Sequence, residues 1–390
     1  MSDAVIVAAV RSAIGKKKGS LAGTRADDLL ANVLMALVAR AKIDPKEIDD
    51  VITGCVTEIG EQGFNVSRTA ALMAGFPVEV TGTTVNRQCG SSQQALHFAA
   101  QAVMSGAQDA VIAAGVEVMS RVPMGSDAAM GVPGVAPAIP FSSMFNEKFT
   151  FVPQHSSAEM IAEKWKVSRK DCEEFSLASH QRAAAAREGG RFKDEIVGIK
   201  TKTADGQELT FDSDEGIRPD TTLEKLATLK PVVKADGVVT AGTSSQISDG
   251  AAAILVMTAE KAKQLGLKPR ARVITTTVAG VDPTMMLHGV IPATQKALAK
   301  AGLKKEDIGL VEINEAFAVV PLAWARELKW NLDHVNVNGG AVALGHPLGC
   351  SGARLMTTLL HEMEKRNVRY GLQTMCIGFG QATATIIERV

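Results

Sequence analysis

Four polar residues stand where strand-like and helix-like patterns meet, and each carries a group that chemistry can use. In VNRQCGSSQQALHFAAQAV, Val85 to Val103, Cys89 separates the strand pattern GTTV from an alanine-rich helical pattern with Ala95, Phe98, Ala99 and Ala102 on its buried face. That places the thiol at a helix N-terminus, where unpaired N–H groups and the macrodipole favour the thiolate. Free cysteines are usually small buried hydrophobes, yet Asn86, Arg87, Gln88, Ser91 and Ser92 surround this one with polar groups. Nucleophile and core residue both stay open.

A thiolate nucleophile needs a base. In VNVNGGAVALGHPLGCSGARL, His346 lies between Gly345 and Pro347 in a glycine-rich loop that enters a helix near Ser351. It has no helix or strand duty there, unlike His97, His180 and His361 in their helical patterns. In TMCIGFGQATATIIERV, Cys376 ends a strand before glycines that permit close approach of a ligand, and a second thiol suits an acid or a base. Asn314, with Glu315, ends the apolar strand of VEINEAFAVV; its amide positions a water, orients the base or simply caps a helix. A dinucleotide reading of GFGQAT fails, because ten residues after Gly380 leave no room for the βαβ unit that motif requires. No Walker loop, H-E-x-x-H or Cys/His cluster is present, so neither a metal nor a permanently bound cofactor is expected.

The elements that position these groups repeat. ARAKIDPKEIDDVITG (Ala39 to Gly54) matches AKAGLKKEDIGLVEIN (Ala299 to Asn314) without a gap, each a helix end, a turn, a short acidic helix start and a strand. VIAAG (Val111 to Gly115) corresponds to TMCIG (Thr374 to Gly378), and AAAILVM (Ala251 to Met257) to TATIIER near the C-terminus. The pattern predicts a duplicated αβ unit: residues 1–118 completed by 246–268, and residues 269–390. By this repeat the His346 loop stands opposite the Cys89 loop. Thr24 with Asp27 reads as a capping pair, Leu30, Val33, Leu34 and Leu37 as one helical face, and Gly302 as a C′ residue. Residues 119–245 differ in texture, mixing Pro/Gly segments, the charged helix SRKDCEEFSLASHQRAAAAREGGRF and the polar strand ELTFD. They read as an insertion that carries substrate contacts.

Composition narrows the class. Of 390 residues 46% are hydrophobic and only 4% aromatic, so small side chains build the core of a layered α/β protein. Lys plus Arg equals Asp plus Glu, 42 each, which excludes a global field for nucleic acid or anionic membrane. The start lacks the charged-then-apolar order of a secretory signal, and Ala128 to Asn146, though uncharged, holds Pro133, Pro137 and Pro140 and cannot be a membrane span. Five scattered cysteines without a C-x-x-C pair point to free thiols in a cytoplasmic protein.

NRQCGSS, NEAFA, NGGAVALGHPLGCSGAR, MCIGFG and TAGTSSQISDGAAA together resemble the signature segments of the thiolase family, in order and at family spacing over essentially the whole chain. The resemblance implies a five-layered α-β-α-β-α fold of duplicated halves with an inserted loop domain, and a dimer or tetramer. It implies cleavage of 3-ketoacyl-CoA with coenzyme A as co-substrate, in fatty-acid or steroid side-chain β-oxidation. Biosynthetic formation of acetoacetyl-CoA is the alternative, and an acyl-CoA-binding scaffold of a β-oxidation complex the non-enzymatic one. The resemblance also allows a β-oxidation enzyme as partner. By the resemblance Cys89 is the acyl-accepting nucleophile, His346 its base and an oxyanion donor, Cys376 the second acid/base, and Asn314 the holder of an oxyanion-hole water. Gly378 supplies an N–H to a second hole with that of Cys89. Arg218 and Ser245 contact coenzyme A, while Ala241, Ile247, Ala316 and Phe317 line the pantetheine path. The sequence departs from the family at Thr243, where Asn is frequent, at Gln246, Phe379 and Ala382, where glycines are frequent, and in QHSSAE, Gln154 to Glu159, which replaces a Met-Gly pair. Gln154, His155 and SDAAMGVPGVAPAIPFSS are where the acyl group is expected to lie. CGSSQQA and GTSSQISDGAAA are similar to degradative thiolases, bacterial steroid side-chain thiolases in particular.

Overall fold

The structure, a computed structural model, describes residues 3–129, 141–202 and 206–390. Nine strands carry the architecture: β1 (Ala4–Ser12), β2 (Asp50–Gly54), β3 (Thr81–Val85), β4 (Ala110–Val118), β5 (Ser248–Thr258), β6 (Ala271–Gly280), β7 (Ile308–Ile313), β8 (Tyr370–Ile377) and β9 (Gln381–Arg389). Eight helices matter to the site: α1 (Ala26–Ala41), α2 (Val66–Met73), α3 (Ser91–Ser105), α4 (Gln154–Lys164), α5 (Arg169–Glu188), α6 (Val290–Ala301), α7 (Val319–Leu328) and α8 (Ser351–Arg366).

The strands form one sheet in the order β7-β8-β9-β6-β1-β5-β4-β2-β3. Each half follows the same rule. β2 pairs parallel with β4, then β5 and β1 add antiparallel; β7 pairs parallel with β8, then β9 and β6 add antiparallel. Among the described residues, the strand pairing between the halves is Val5↔Arg272 and Ile6↔Ala271, through β1 and β6. The duplication read from the sequence is therefore present in the pairing itself. Where the first half has β3 beside β2, the second has a single bridge, Val311↔Val335.

Side chains alternate along the strands, and both faces are buried. On β4, Ile112, Ala114 and Val116 face α1 and α2, whereas Val111 and Ala113 face α3 and α8. The second half packs its other face on α6 and α7, through Val290, Ile291, Val319 and Trp324. Helices, sheet half, α3 with α8, sheet half, helices: the layers number five, as expected. Small residues allow the central pair to approach closely. A Cβ on Gly352 of α8 would collide with the backbone nitrogen of Gln93 in α3.

Several local expectations hold. Leu30, Val33, Leu34 and Leu37 are wholly buried, and Gly302 takes φ 65° as the C-terminal cap of α6. Two do not. The cap of α1 is Arg25, not Thr24: Asp27 is held by the Arg25 guanidinium (3.0 and 2.7 Å), and the Thr24 hydroxyl turns to Thr201 (3.2 Å). Phe98 is 40% exposed, because the stripe that α3 buries runs through Ala95, Leu96, Ala99, Ala100 and Val103. No helix among the described residues is long and apolar enough to cross a membrane.

Candidate active site

Both halves end in a loop that feeds a central helix, and the two loops meet. The Ala353 N–H of α8 donates to the Ser92 hydroxyl of α3 (2.9 Å), so the helix N-termini lie side by side. Before α3, Gln88 adopts φ +45°, outside the usual range for a side-chain-bearing residue. The Ser91 hydroxyl holds this turn, accepting from the Arg87 N–H (2.9 Å) and donating to the Gln88 carbonyl (2.6 Å). Cys89 follows, 4% exposed, with the Gln154 amide of α4 at 4.0 Å from its sulfur. The N–H groups of Gly378 and of Cys89 itself also point at that sulfur.

The second loop carries His346, 4% exposed. Its backbone N–H donates to the Gln246 carbonyl (3.0 Å), and the Gln246 amide in turn donates to the carbonyls of Gly216 and Val342 (2.9 Å each). Gln246, a departure from the family pattern, thus ties this loop down. Gly345 has φ +102°, and a Cβ there would strike the Ser248 hydroxyl, so only glycine fits. Nδ1 of the His346 ring lies 2.5 Å from the Ser351 hydroxyl, which itself donates to the Pro347 carbonyl (2.8 Å). A hydroxyl has one proton, so Ser351 accepts from Nδ1–H and leaves Nε2 as the free lone pair. Nε2 faces the Asn314 amide nitrogen at 3.4 Å.

Asn314 leaves the end of β7, where its N–H donates to the Thr374 carbonyl of β8 (3.1 Å). Its side chain also donates to the Cys376 thiol. Asn314 Oδ1 is buried and has no partner among the described residues. Neighbouring Glu315 accepts from Ser179, Asn336 and the Val342 N–H (2.8, 2.8 and 3.1 Å), which braces this strand end. The chain therefore brings Cys89, His346, Cys376, Asn314 and Gly378 into one buried cluster.

Electrostatics set the resting protonation. Burial pushes the Cys89 thiol above its ordinary value, against the opposing Gln154 amide and the Gly378 N–H. Burial also drives the Cys376 thiol far up, and the adjacent Cys89 adds to this. For His346, burial first and the Arg354 charge second lower the pKa to about 3. Burial thus works against the thiolate that the helix N-terminus was expected to favour, and the Cys89 thiol and the His346 imidazole both rest uncharged.

The remaining expected residues lie on the approach. The Ser245 N–H donates to the Ala316 carbonyl (2.9 Å) and Ser244 bridges Phe317, so residues 243–247 run beside residues 316–318. Ile247 is 39% exposed beside this strip. Arg218 and Ala241 line a cavity of about 150 Å³ with His180, Lys225, Gln246 and Val342. The Arg218 N–H donates to His180 Nδ1 (3.1 Å), and burial with the Arg218 charge lowers the His180 pKa to about 4. Much of SDAAMGVPGVAPAIPFSS, residues 130–140, lies outside the described residues.

Residues 4–260 match the model of the thiolase N-terminal domain, and residues 267–389 that of the thiolase C-terminal domain. The chain belongs to the thiolase family. Thiolases of known name align over its full length. It is 49% identical to a 3-ketoacyl-CoA thiolase of Pseudoalteromonas translucida, with both chains covered completely. It is 48% identical to a steroid 3-ketoacyl-CoA thiolase of Mycobacterium tuberculosis, of which 95% is covered. Among solved thiolase structures, human mitochondrial 3-ketoacyl-CoA thiolase superposes with a TM-score of 0.91 at 37% identity, covering 100% of this chain and 99% of that one. The acetyl-CoA acetyltransferase of Bacillus anthracis does so with a TM-score of 0.93 at 40% identity and the same coverage.

Sequence reasoning missed Ser351 and the contact of Gln154. Ser351 had only the signal of a hydroxyl at a helix start five residues after a loop histidine. Gln154 was expected near the acyl group, but its amide contact with the Cys89 sulfur comes from a helix 65 residues away and had no signal of its own.

Proposed function

We propose that the protein is a degradative thiolase. It cleaves a 3-ketoacyl-CoA between C2 and C3 with coenzyme A as co-substrate, yielding acetyl-CoA and a shortened acyl-CoA, in fatty-acid or steroid side-chain β-oxidation. The observation that carries this reading is the meeting of two thiols, one imidazole whose unprotonated Nε2 faces an amide, and that amide, at paired helix N-termini.

Cys89 Sγ adds to the C3 ketone while its proton passes to His346 Nε2. The oxyanion accepts from the N–H groups of Cys89 and Gly378, donors worth about 3 kcal/mol each in comparable holes. The C2–C3 bond then breaks and its electron pair moves to the acetyl-CoA enolate. That oxygen accepts from protonated His346 and from a water held by Asn314, whose buried, unpartnered Oδ1 supports this role. The Cys376 thiol protonates C2, and acetyl-CoA leaves. The Cys376 thiolate next takes the thiol proton of incoming coenzyme A, whose sulfur attacks the acyl-Cys89 thioester. Cys89 departs and recovers the proton stored on His346. Thiolysis exchanges a ketone C–C bond for a thioester and runs downhill, which sets the degradative direction.

Arg218 and Ser245 contact coenzyme A, and Ala241, Ile247, Ala316 and Phe317 line its pantetheine arm; the cavity shared by Arg218 and Ala241 supports this placement. Residues 119–245 act as a loop domain on halves formed by 1–118 with 246–268 and by 269–390. The protein works as a cytoplasmic homodimer or homotetramer. Thiolysis assays with 3-ketoacyl-CoA and coenzyme A test the function. The expected result is ping-pong kinetics that Cys89→Ala abolishes and Cys376→Ser largely removes; unchanged turnover in either variant contradicts the assigned roles.

A further inference from the structure

Gly378 is followed by a residue with an uncommon backbone. Phe379 has φ +58°, the left-handed region that glycine favours and a bulky side chain seldom enters. Backbone strain of this kind persists where the surroundings hold a side chain in place for use. Its ring meets Phe141 edge-on (centroids 5.3 Å apart, planes at 63°) and lies tilted against Phe151 (5.8 Å, 30°). Phe141 in turn stacks on Phe145 (4.7 Å, 21°), and Phe145 touches Phe149 (5.5 Å). Five of the chain's 12 phenylalanines thus form one surface, in a protein otherwise poor in aromatics.

This surface is not core. Phe149 and Phe151 are 43% and 50% exposed, and nearby Met144 is 67% exposed. A contiguous exposed apolar face on a globular protein marks a binding surface. Its inner edge is attached to the reaction centre twice. Phe379 directly follows the glycine whose N–H points at the Cys89 sulfur, and three residues after Phe151 comes Gln154, whose amide lies 4.0 Å from the same atom.

We propose that this aromatic face receives the acyl group carried on Cys89, and that Phe379 is a specificity-determining residue that selects extended apolar acyl groups over short ones. The inference rests on the thiolase reading. From Phe379, three ring-to-ring steps of 5.3, 4.7 and 5.5 Å lead outward through Phe141 and Phe145 to Phe149, a length that acetoacetyl-CoA cannot use. An extended apolar group, whether a long linear chain or a fused-ring side-chain thioester, covers the rings and removes them from water.

The test compares kcat/KM of the wild type, Phe379→Leu and Phe151→Ser on acetoacetyl-CoA, a long linear 3-ketoacyl-CoA and a fused-ring side-chain 3-ketoacyl-CoA. Phe151 is half exposed, so the second variant keeps the test sound should the first fail to fold. The wild type is expected to prefer a large substrate, and which one identifies the source of the acyl group. In each variant the ratio of large-substrate to acetoacetyl-CoA kcat/KM falls roughly 10- to 100-fold, the loss that follows from one buried aromatic, and mainly through KM. A wild type that prefers acetoacetyl-CoA overturns the proposal, as does an equal loss on all substrates. Absence of thiolysis from the wild type with every substrate defeats the reaction assignment itself, and is a distinct result.

Discussion

Burial raises the Cys89 pKa and lowers that of His346 to about 3, so thiol and imidazole both rest uncharged. In the proposed mechanism the proton then leaves Cys89 as the sulfur attacks. Alkylation of Cys89 by iodoacetamide, followed by intact mass, is expected to accelerate steadily up to and beyond pH 9; a plateau reached below neutrality contradicts a neutral pair. Ser351 fixes the imidazole tautomer from behind. Ser351→Ala is expected to lower kcat by about 10-fold or more with a smaller change in KM, and equal kcat in the variant removes the positioning role. Cys89, His346 and Cys376 stood out as candidates because polar groups and glycines broke apolar patterns around them. Their protonation was not, since desolvation depends on every element packed above the site.

Two helix starts meet only because α3 and α8 cross without an intervening side chain at Gly352. Gly352→Ala must push the helices apart or shift the Gln93 backbone. A cost of about 1–3 kcal/mol is expected, read as a lower urea midpoint at unchanged slope, together with a fall in kcat. Stability equal to the wild type contradicts the close crossing. The duplicated units were legible because a helix, a turn and a strand recur at one offset in Ala39–Gly54 and Ala299–Asn314. The start of α1 was not: Thr24 and Asp27 have the right spacing for a cap, but the Arg25 guanidinium outcompetes the backbone for the carboxylate. Phe98 fits a helical period equally well on either side of the stripe, and only the facing sheet decides which side is covered.

Across the whole molecule, buried histidines link stability to acid. His97 of α3 lies against the Thr385 hydroxyl of β9 (2.8 Å), and burial, reinforced by the Arg87 and Lys300 charges, lowers its pKa to about 3. Its folded pKa is depressed below the unfolded value, so the unfolded chain takes up a proton that the folded one refuses. The contribution to stability is complete above about pH 6.5 and is lost as pH falls toward 3. At pH 5 the loss is about 2 kcal/mol. Urea titrations at pH 8 and pH 5 should show His97→Gln losing about 2 kcal/mol less than the wild type over that interval; identical pH dependence in both proteins contradicts the assignment. The layered architecture was legible from small core residues and duplicated strands, whereas the folding of one sheet around α3 and α8 through two residue pairs left no local signal.

Peptide mass mapping of the protein after reaction with a 3-ketoacyl-CoA in the absence of free coenzyme A tests directly whether Cys89 carries the acyl group. Acetyl-CoA in solution and a single shortened acyl group on the peptide that contains Cys89 are expected. An acyl group on any other residue, or release of acetyl-CoA by Cys89→Ala, contradicts that role.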